Sequence, residues 1–453
     1  MSLIDFAPLT ADLVATAAVK SVGRVIGTDS GGFLVAGLRH DCVLGDRVSV
    51  RPKSGMAIPA DVLRLGPDGV TVLPDGPTGG VALGDQVVLE PRVGFCPDGS
   101  WLGRVIDSRG RPLDGRAILA GSVDYPLQAP PRAAAERRAL GERLPTGQKL
   151  FNTILPLARG QRIGLFAGSG IGKSTLIGQL AVNVEVDVTV IALVGERGRE
   201  VREFVEHKLG PTGMARAVVV AATSDKSSLE KRRAAWAAMS VAEYFRDQGK
   251  QVLLVVDSIT RFAEAHRDVA LAAGESASMR GYPPSTMQII MSLCERAGPG
   301  AGTSGDITAL FSVLVAASDM DEPIADIIRG VLDGHVILDR KIAERGRFPA
   351  VDVLRSVSRC LPDVATDSEN AAIRATRRLL AAYDSAELMI RAGLYVPGSD
   401  PLVDQAIESW PKFERYFSEI EVETIGDSFD ALAACFPLDE TQVNRGLAGL
   451  AGG

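Results

Sequence analysis

RIGLFAGSGIGKSTLIGQLAVNV, residues 162–184, decides the fold. An apolar run of strand length ends in AGSGIGKST (167–175), and a helix-forming segment follows. A phosphate-binding loop reads G-x-x-x-x-G-K-[ST] between a strand and a helix. Here Ala167 occupies the first glycine position, which is harmless if its φ is negative, as at a strand end. Gly168, Gly170 and Gly172 let the backbone N–H groups turn inward, and the helix N-terminus adds partial positive charge. Gly168, Ser169, Gly170, Ile171, Gly172, Lys173, Ser174 and Thr175 therefore form a candidate nucleotide site. Lys173 would reach the β- and γ-phosphates of ATP, and Ser174 would ligate Mg²⁺. A glycine-rich turn that merely contains Lys-Ser would not explain why strand, loop and helix agree.

Outward from this loop, strand-like and helix-like segments alternate. DVTVIALVG, ARAVVVAATSD, QVLLVVDS and DITALFSVLVAASD are near-continuous Val/Ile/Leu runs between helical patterns. That texture indicates a parallel sheet covered on both faces. Asp257 ends VLLVVD, where a carboxylate can face the Mg²⁺ shell, through water. Glu196 follows VTVIALV at the carboxyl edge of the sheet, where ligands bind in such folds. A carboxylate there can orient and polarise an attacking water. Its plain alternative is a surface charge in the mixed run ERGREVRE. The KRR at 231–233 reads as a solvated helix face, and Trp236 and Trp410 as packing residues.

The flanks differ. Short apolar runs between Gly/Asp/Pro turns over 22–92 read as a small β-barrel or sandwich. The Pro/Ala-rich LQAPPRAAAERRAL reads as a loop wrapping the core. From about residue 366 the pattern is helical, with a capping box in TDSE and a stop at Gly393. The chain has 453 residues, 46% of them hydrophobic and 23% charged, enough for two to four domains. Its net charge of −7 gives no overall attraction to nucleic acid or anionic membrane. Five cysteines without a C-x-x-C pair argue for a reduced, cytosolic protein without a zinc cluster, and the four histidines lack metal-ligand spacing. The first twenty residues lack a signal-peptide pattern, and no apolar run reaches transmembrane length.

PAVDVLRSVS (349–358) resembles the signature of the rotary ATP synthase α/β subunits and their relatives. LGRVIDSRGRPLDG (102–115) and LPTGQKLFNTILPLARGQRIGLFAGSGIGKST (144–175) agree at matching places. The flagellar and type III secretion export ATPases within that superfamily fit best. They carry FAGSG-x-GKS, GERGREV, RGYPPS (280–285), DGH (333–335), AERGR-x-PA (343–350) and the tail matched over 393–407. The resemblance spans roughly 22–418.

The resemblance implies an N-terminal arm (1–21), a β-barrel (22–92), a RecA-like P-loop ATPase core of α/β class (93–365) and a C-terminal helical domain (366–453). Glu196 looks like the catalytic glutamate. Arg359 looks like an arginine finger acting in trans, and Phe348 like an aromatic that stacks on adenine. Arg197 would pair with phosphate or with structural acids. The resemblance also implies a cytoplasmic homohexamer that lies peripherally at a membrane export apparatus. Its partners would be a regulatory stalk protein, a central stalk protein, export-gate membrane proteins and chaperone–cargo complexes, with no nucleic acid. ATP hydrolysis would energise or gate export and release and unfold cargo. The flagellar version is favoured over the injectisome version. A rotary ATPase catalytic subunit, an RNA-translocating hexameric helicase and a non-catalytic scaffold are the rivals.

Overall fold

The structure is a computed structural model that describes residues 20–437, apart from 30, 54, 279–280, 316–321 and 421–423. Residues 1–19 of the expected N-terminal arm, the last residues of the expected helical domain and Arg280 of RGYPPS lie outside the described residues.

Six short strands form a closed antiparallel barrel: β1 (Val22–Asp29), β2 (Gly32–Ala36), β3 (Arg47–Arg51), β4 (Ile58–Leu65), β5 (Val70–Pro74) and β6 (Gln86–Leu89). Their order is β1-β2-β5-β4-β3-β6, a closed barrel and not a sandwich. Alternation along the strands sends Val35, Val48, Val50, Val62, Val70, Val72 and Val87 inward to one valine-rich core.

The second unit is an eight-stranded sheet: β7 (Arg104–Ile106), β8 (Arg162–Ala167), β9 (Val188–Val194), β10 (Ala217–Ala222), β11 (Val252–Asp257), β12 (Ile307–Leu314), β13 (Gly334–Leu338) and β14 (Val351–Ser358). The order is β14-β13-β8-β12-β11-β9-β10-β7. All neighbours are parallel except the edge pair β13–β14, so the signature PAVDVLRSVS is an antiparallel edge strand. Along β9, Val190 and Ala192 join the core on one face while Ile191 and Leu193 join that on the other. This two-sided burial is why the strand is apolar at every position.

One face is covered by α3 (Ser228–Asp247), α4 (Ile259–Ala272), α5 (Ser285–Arg296) and α6 (Pro323–Val331). The other packs α1 (Lys173–Asn183) and the C-terminal helices α7 (Asp367–Arg391), α8 (Pro401–Tyr416) and α9 (Ile425–Ala433). The Thr366 hydroxyl and the Glu369 carboxylate form the expected capping box at the start of α7. Gly393, at φ +68°, follows its end. Tyr383 and Trp410 stack with centroids 3.9 Å apart, joining α7 to α8. The segment REVREFVEHKL departs from a plain helix: α2 (Gly198–Glu203) passes into one π-helical stretch over Phe204–Leu209.

The KRR stretch corrects the reading of a solvated face. Arg233 Nη2 contacts Asp61 Oδ2 of the barrel at 2.5 Å. Arg232 lies over the Trp236 ring, 5.0 Å from its centroid, and burial pulls its pKa down to about 10. Asp61 is also 2.6 Å from Arg47, and Arg109 of the core reaches Asp75 of the barrel at 3.2 Å. Charged groups from both units thus cement the barrel to the core. The wrapping loop is held likewise, by Arg132 on Asp247 and Arg137 on Glu295.

Candidate functional site

The phosphate loop leaves the carboxyl end of β8, a central strand of the sheet. Ala167 is the last residue of that strand and is fully buried, an extended position that alanine adopts without strain. Gly170 and Gly172 hold φ of +77° and +87°, which L side chains rarely adopt. Gly172 caps α1, so the free N–H groups of the first helical turn face the mouth of the loop. Lys173, Ser174 and Thr175 are the first three residues of the helix.

Sheet register brings the other groups here. In β12, Phe311 pairs with Val256 of β11 and Leu314 with Ala167 of β8. In β9, Leu193 pairs with Asp257. Asp257 and Glu196 therefore emerge at the carboxyl edge, beside the loop. The Lys173 ammonium contacts Asp257 Oδ1, with Lys173 9% and Asp257 2% exposed. Ser312 Oγ of β12 donates to the same oxygen at 2.5 Å. Ser174, Glu196 and Asp257 line one cleft together with Glu200 and Phe204.

Burial pushes the Glu196 carboxyl up to about 7, aided by the negative charge of Asp257 and a hydrogen bond with Glu200, and opposed by Lys173. Glu200 shifts the other way: its bond with Glu196 and the nearby Arg197 hold its carboxyl low. Arg197 Nη1 lies 3.0 Å from Glu200 Oε1, so it serves a structural acid. Phe348 leans on the loop from the β13–β14 side. A Cβ placed on Gly172 would come within 3.3 Å of its ring, yet the side is open enough to leave Phe348 51% exposed.

Arg359 is the one predicted site residue that the fold does not bring here. Its N–H bonds Asp333 O, whose own N–H bonds Arg162 O at the start of β8. Its guanidinium donates to Leu332 O at 3.1 Å. Arg359 therefore sits at the amino edge of the sheet, separated from its own phosphate loop by the length of β8, about 16 Å at ~3.3 Å per residue.

Comparison with known proteins places this architecture. Residues 147–358 match the model of the ATP synthase alpha/beta family, nucleotide-binding domain, and residues 365–427 that of the T3SS EscN ATPase C-terminal domain. The flagellum-specific ATP synthase of Caulobacter vibrioides is 43% identical over 419 residues, covering 90% of this chain and 94% of that protein. The chain belongs to the flagellar and type III secretion ATPases. The type 3 secretion system ATPase of Xanthomonas euvesicatoria is 41% identical over 91% of this chain and 92% of its own length. The assembled ATPase EscN of enteropathogenic E. coli superposes with a TM-score of 0.83 at 36% identity, over 91% of this chain and 99% of that one. EscN in complex with its central stalk EscO superposes with a TM-score of 0.82. This export ATPase thus carries the family's ATP-hydrolysing core.

Two residues of the site escape sequence reasoning. Ser312 is a lone hydroxyl in the apolar FSVL, and only its register beside Asp257 reveals it. Arg340 donates through Nη2 to Ser169 O of the phosphate loop at 3.2 Å, from a segment 171 residues away. Ser312 lies inside its strand and Arg340 opens a short helix after β13, so no local pattern marks either one.

Proposed function

We propose that this export ATPase hydrolyses Mg-ATP at sites shared between adjacent subunits of a homohexameric ring, and that hydrolysis energises or gates export of flagellar proteins. The placement of Arg359 carries the reading. The phosphate loop, Glu196 and Asp257 form a nearly complete site within one chain, while Arg359 stands at the opposite edge of the sheet, where a neighbour's site could receive it.

The residues fit a magnesium ion. Ser174 and Asp257 offer hard oxygen donors in the cleft; Ser174 would hold the ion directly and Asp257 through water. Among the described residues no cluster of three His, Cys, Asp or Glu could hold a metal by itself, which suits an ion that shares its shell with substrate phosphates. When bound, the ion neutralises charge on the β- and γ-phosphates. Lys173 exchanges Asp257 for these phosphates. Glu196 accepts a hydrogen bond from the attacking water and takes its proton, and a carboxyl that titrates near 7 suits that task at neutral pH. Phe348 stacks on the adenine. Arg359 from the neighbouring subunit meets the charge developing on the γ-phosphate.

The ring is proposed to lie on the cytoplasmic face of the membrane export apparatus, consistent with the lack of any helix long and apolar enough to cross a membrane among the described residues. There it would engage a regulatory stalk, a central stalk, export-gate proteins and chaperone-bound cargo, which it releases and unfolds. The test is complementation. The wild-type gene should restore motility and filament-protein secretion to a flagellar ATPase deletion strain, and Lys173→Ala should restore neither. Restoration of injectisome secretion without motility would assign the other export system.

A further inference from the structure

Asp257 is almost fully buried, and its two protein donors converge on one oxygen. The Lys173 ammonium and the Ser312 hydroxyl both meet Oδ1. Among the described residues no hydrogen bond reaches Oδ2, and Asp257 faces the cleft alongside Ser174 and Glu196. Ser312 is itself fully buried on β12, and Asp257 is the only partner described for its hydroxyl. A hydroxyl fully buried in an apolar strand needs a hydrogen-bond partner, and Asp257 supplies it.

We propose that Ser312 is a positioning residue that keeps Asp257 aimed into the cleft after Lys173 leaves it for the nucleotide phosphates. The proposal rests on the nucleotide-site reading above. A lysine ammonium that moves onto a phosphate leaves the buried Asp257 carboxylate without its cation. The χ2 torsion of aspartate is broad and two-fold, so an untethered carboxylate would turn after Lys173. Ser312 donates from the neighbouring strand, which does not depend on the loop. Its bond fixes Oδ1 and leaves Oδ2 as the oxygen presented to the waters of the Mg²⁺ shell.

Ser312→Thr and Ser312→Val test this, because they add equal volume and differ only in the hydroxyl. Binding of a fluorescent ADP analogue to the full chain is titrated in EDTA and in Mg²⁺. In EDTA the two variants should agree within about twofold. In Mg²⁺ the Thr variant should keep the wild-type gain in affinity, and the Val variant should lose about tenfold of it, the scale of one hydrogen bond to a charged group. The Val variant should also show a matching rise in the Mg²⁺ concentration for half-maximal ATPase. A Val variant with the full metal-dependent gain overturns the proposal, as does a Thr variant that loses as much as Val. Lys173→Ala separates the two readings. If it leaves nucleotide binding unchanged, the nucleotide site itself is misassigned and the Ser312 proposal falls with it. If it abolishes binding while Val behaves as wild type, only the Ser312 proposal fails.

Discussion

Replacing Arg359 by alanine removes the guanidinium of a residue whose backbone stands about 16 Å from its own phosphate loop by the strand spacing of β8. That separation exceeds the reach of an arginine side chain, and the backbone of Arg359 is fixed to Asp333. Its contacts within the subunit are bonds to two backbone carbonyls, of Leu332 and Arg329, so its loss should leave the fold intact. As a finger in trans it should lower kcat by about 10³–10⁵. Lys173→Ala should be comparably inactive, for lack of phosphate binding. In a ring assembled at random from equal amounts of the two variants, a complete interface pairs an intact loop with a neighbour's intact Arg359. Each condition holds for half the subunits, so about a quarter of interfaces should be complete and the mixture should recover up to about a quarter of wild-type activity. Steady-state ATPase of each variant and of the mixture measures this, with subunit exchange followed by energy transfer between labelled chains. Exchange without recovery, or full activity of Arg359→Ala alone, refutes the shared-site argument.

As the proposed base, Glu196 should set a pH limb. Its carboxyl is raised to about 7, so kcat/KM should fall as pH drops below 7, where the base is protonated, and not near the pH 4–5 of an ordinary glutamate. A native pKa above the unfolded value adds stability that is full below the unfolded pKa and is lost as pH rises through 7. Glu196→Gln should lose ATPase activity, and it should gain Tm over wild type at pH 8 and lose that advantage at pH 5, read by differential scanning fluorimetry. Asp61→Ala leaves Arg233 without its carboxylate and Arg47 and Arg109 with Asp75 alone, and should destabilise the chain by about 3 kcal/mol in urea melts, against about 1 kcal/mol for the exposed Lys20–Glu90 pair. Phe348→Ala should raise the KM for ATP about tenfold with kcat within about twofold, and Phe348→Tyr should restore it, as expected for a residue that stacks on a base.

The sheet was legible because its strands are buried on both faces, which forces an apolar residue at every position of VTVIALV and VLLVVD. Strand pattern alone left the barrel open to a sandwich reading and the resemblance supplied the barrel, since closure depends on β1 meeting β6, a pairing between segments some sixty residues apart. Local chemistry wrote the capping box of α7 and the phosphate loop in full, because each is satisfied by residues a few positions apart. The KRR misreading shows the reverse. Helix pattern says which residues leave the sheet face, but only the docked barrel turns Arg233 from a solvated charge into a partner of Asp61.

Sequence alone identified the family and pointed to the phosphate loop, to Asp257 as its candidate acid and to the glutamate that follows β9, because these readings rest on contiguous motifs. Tertiary structure alone decided that Glu196 titrates near 7, that Ser312 holds Asp257, that Arg340 clasps the loop and that Arg359 faces away from its own site. Each of these depends on strand order and register. A one-dimensional chain carries no record of which strand lies beside which, and burial and through-space charge exist only once the strands are assembled.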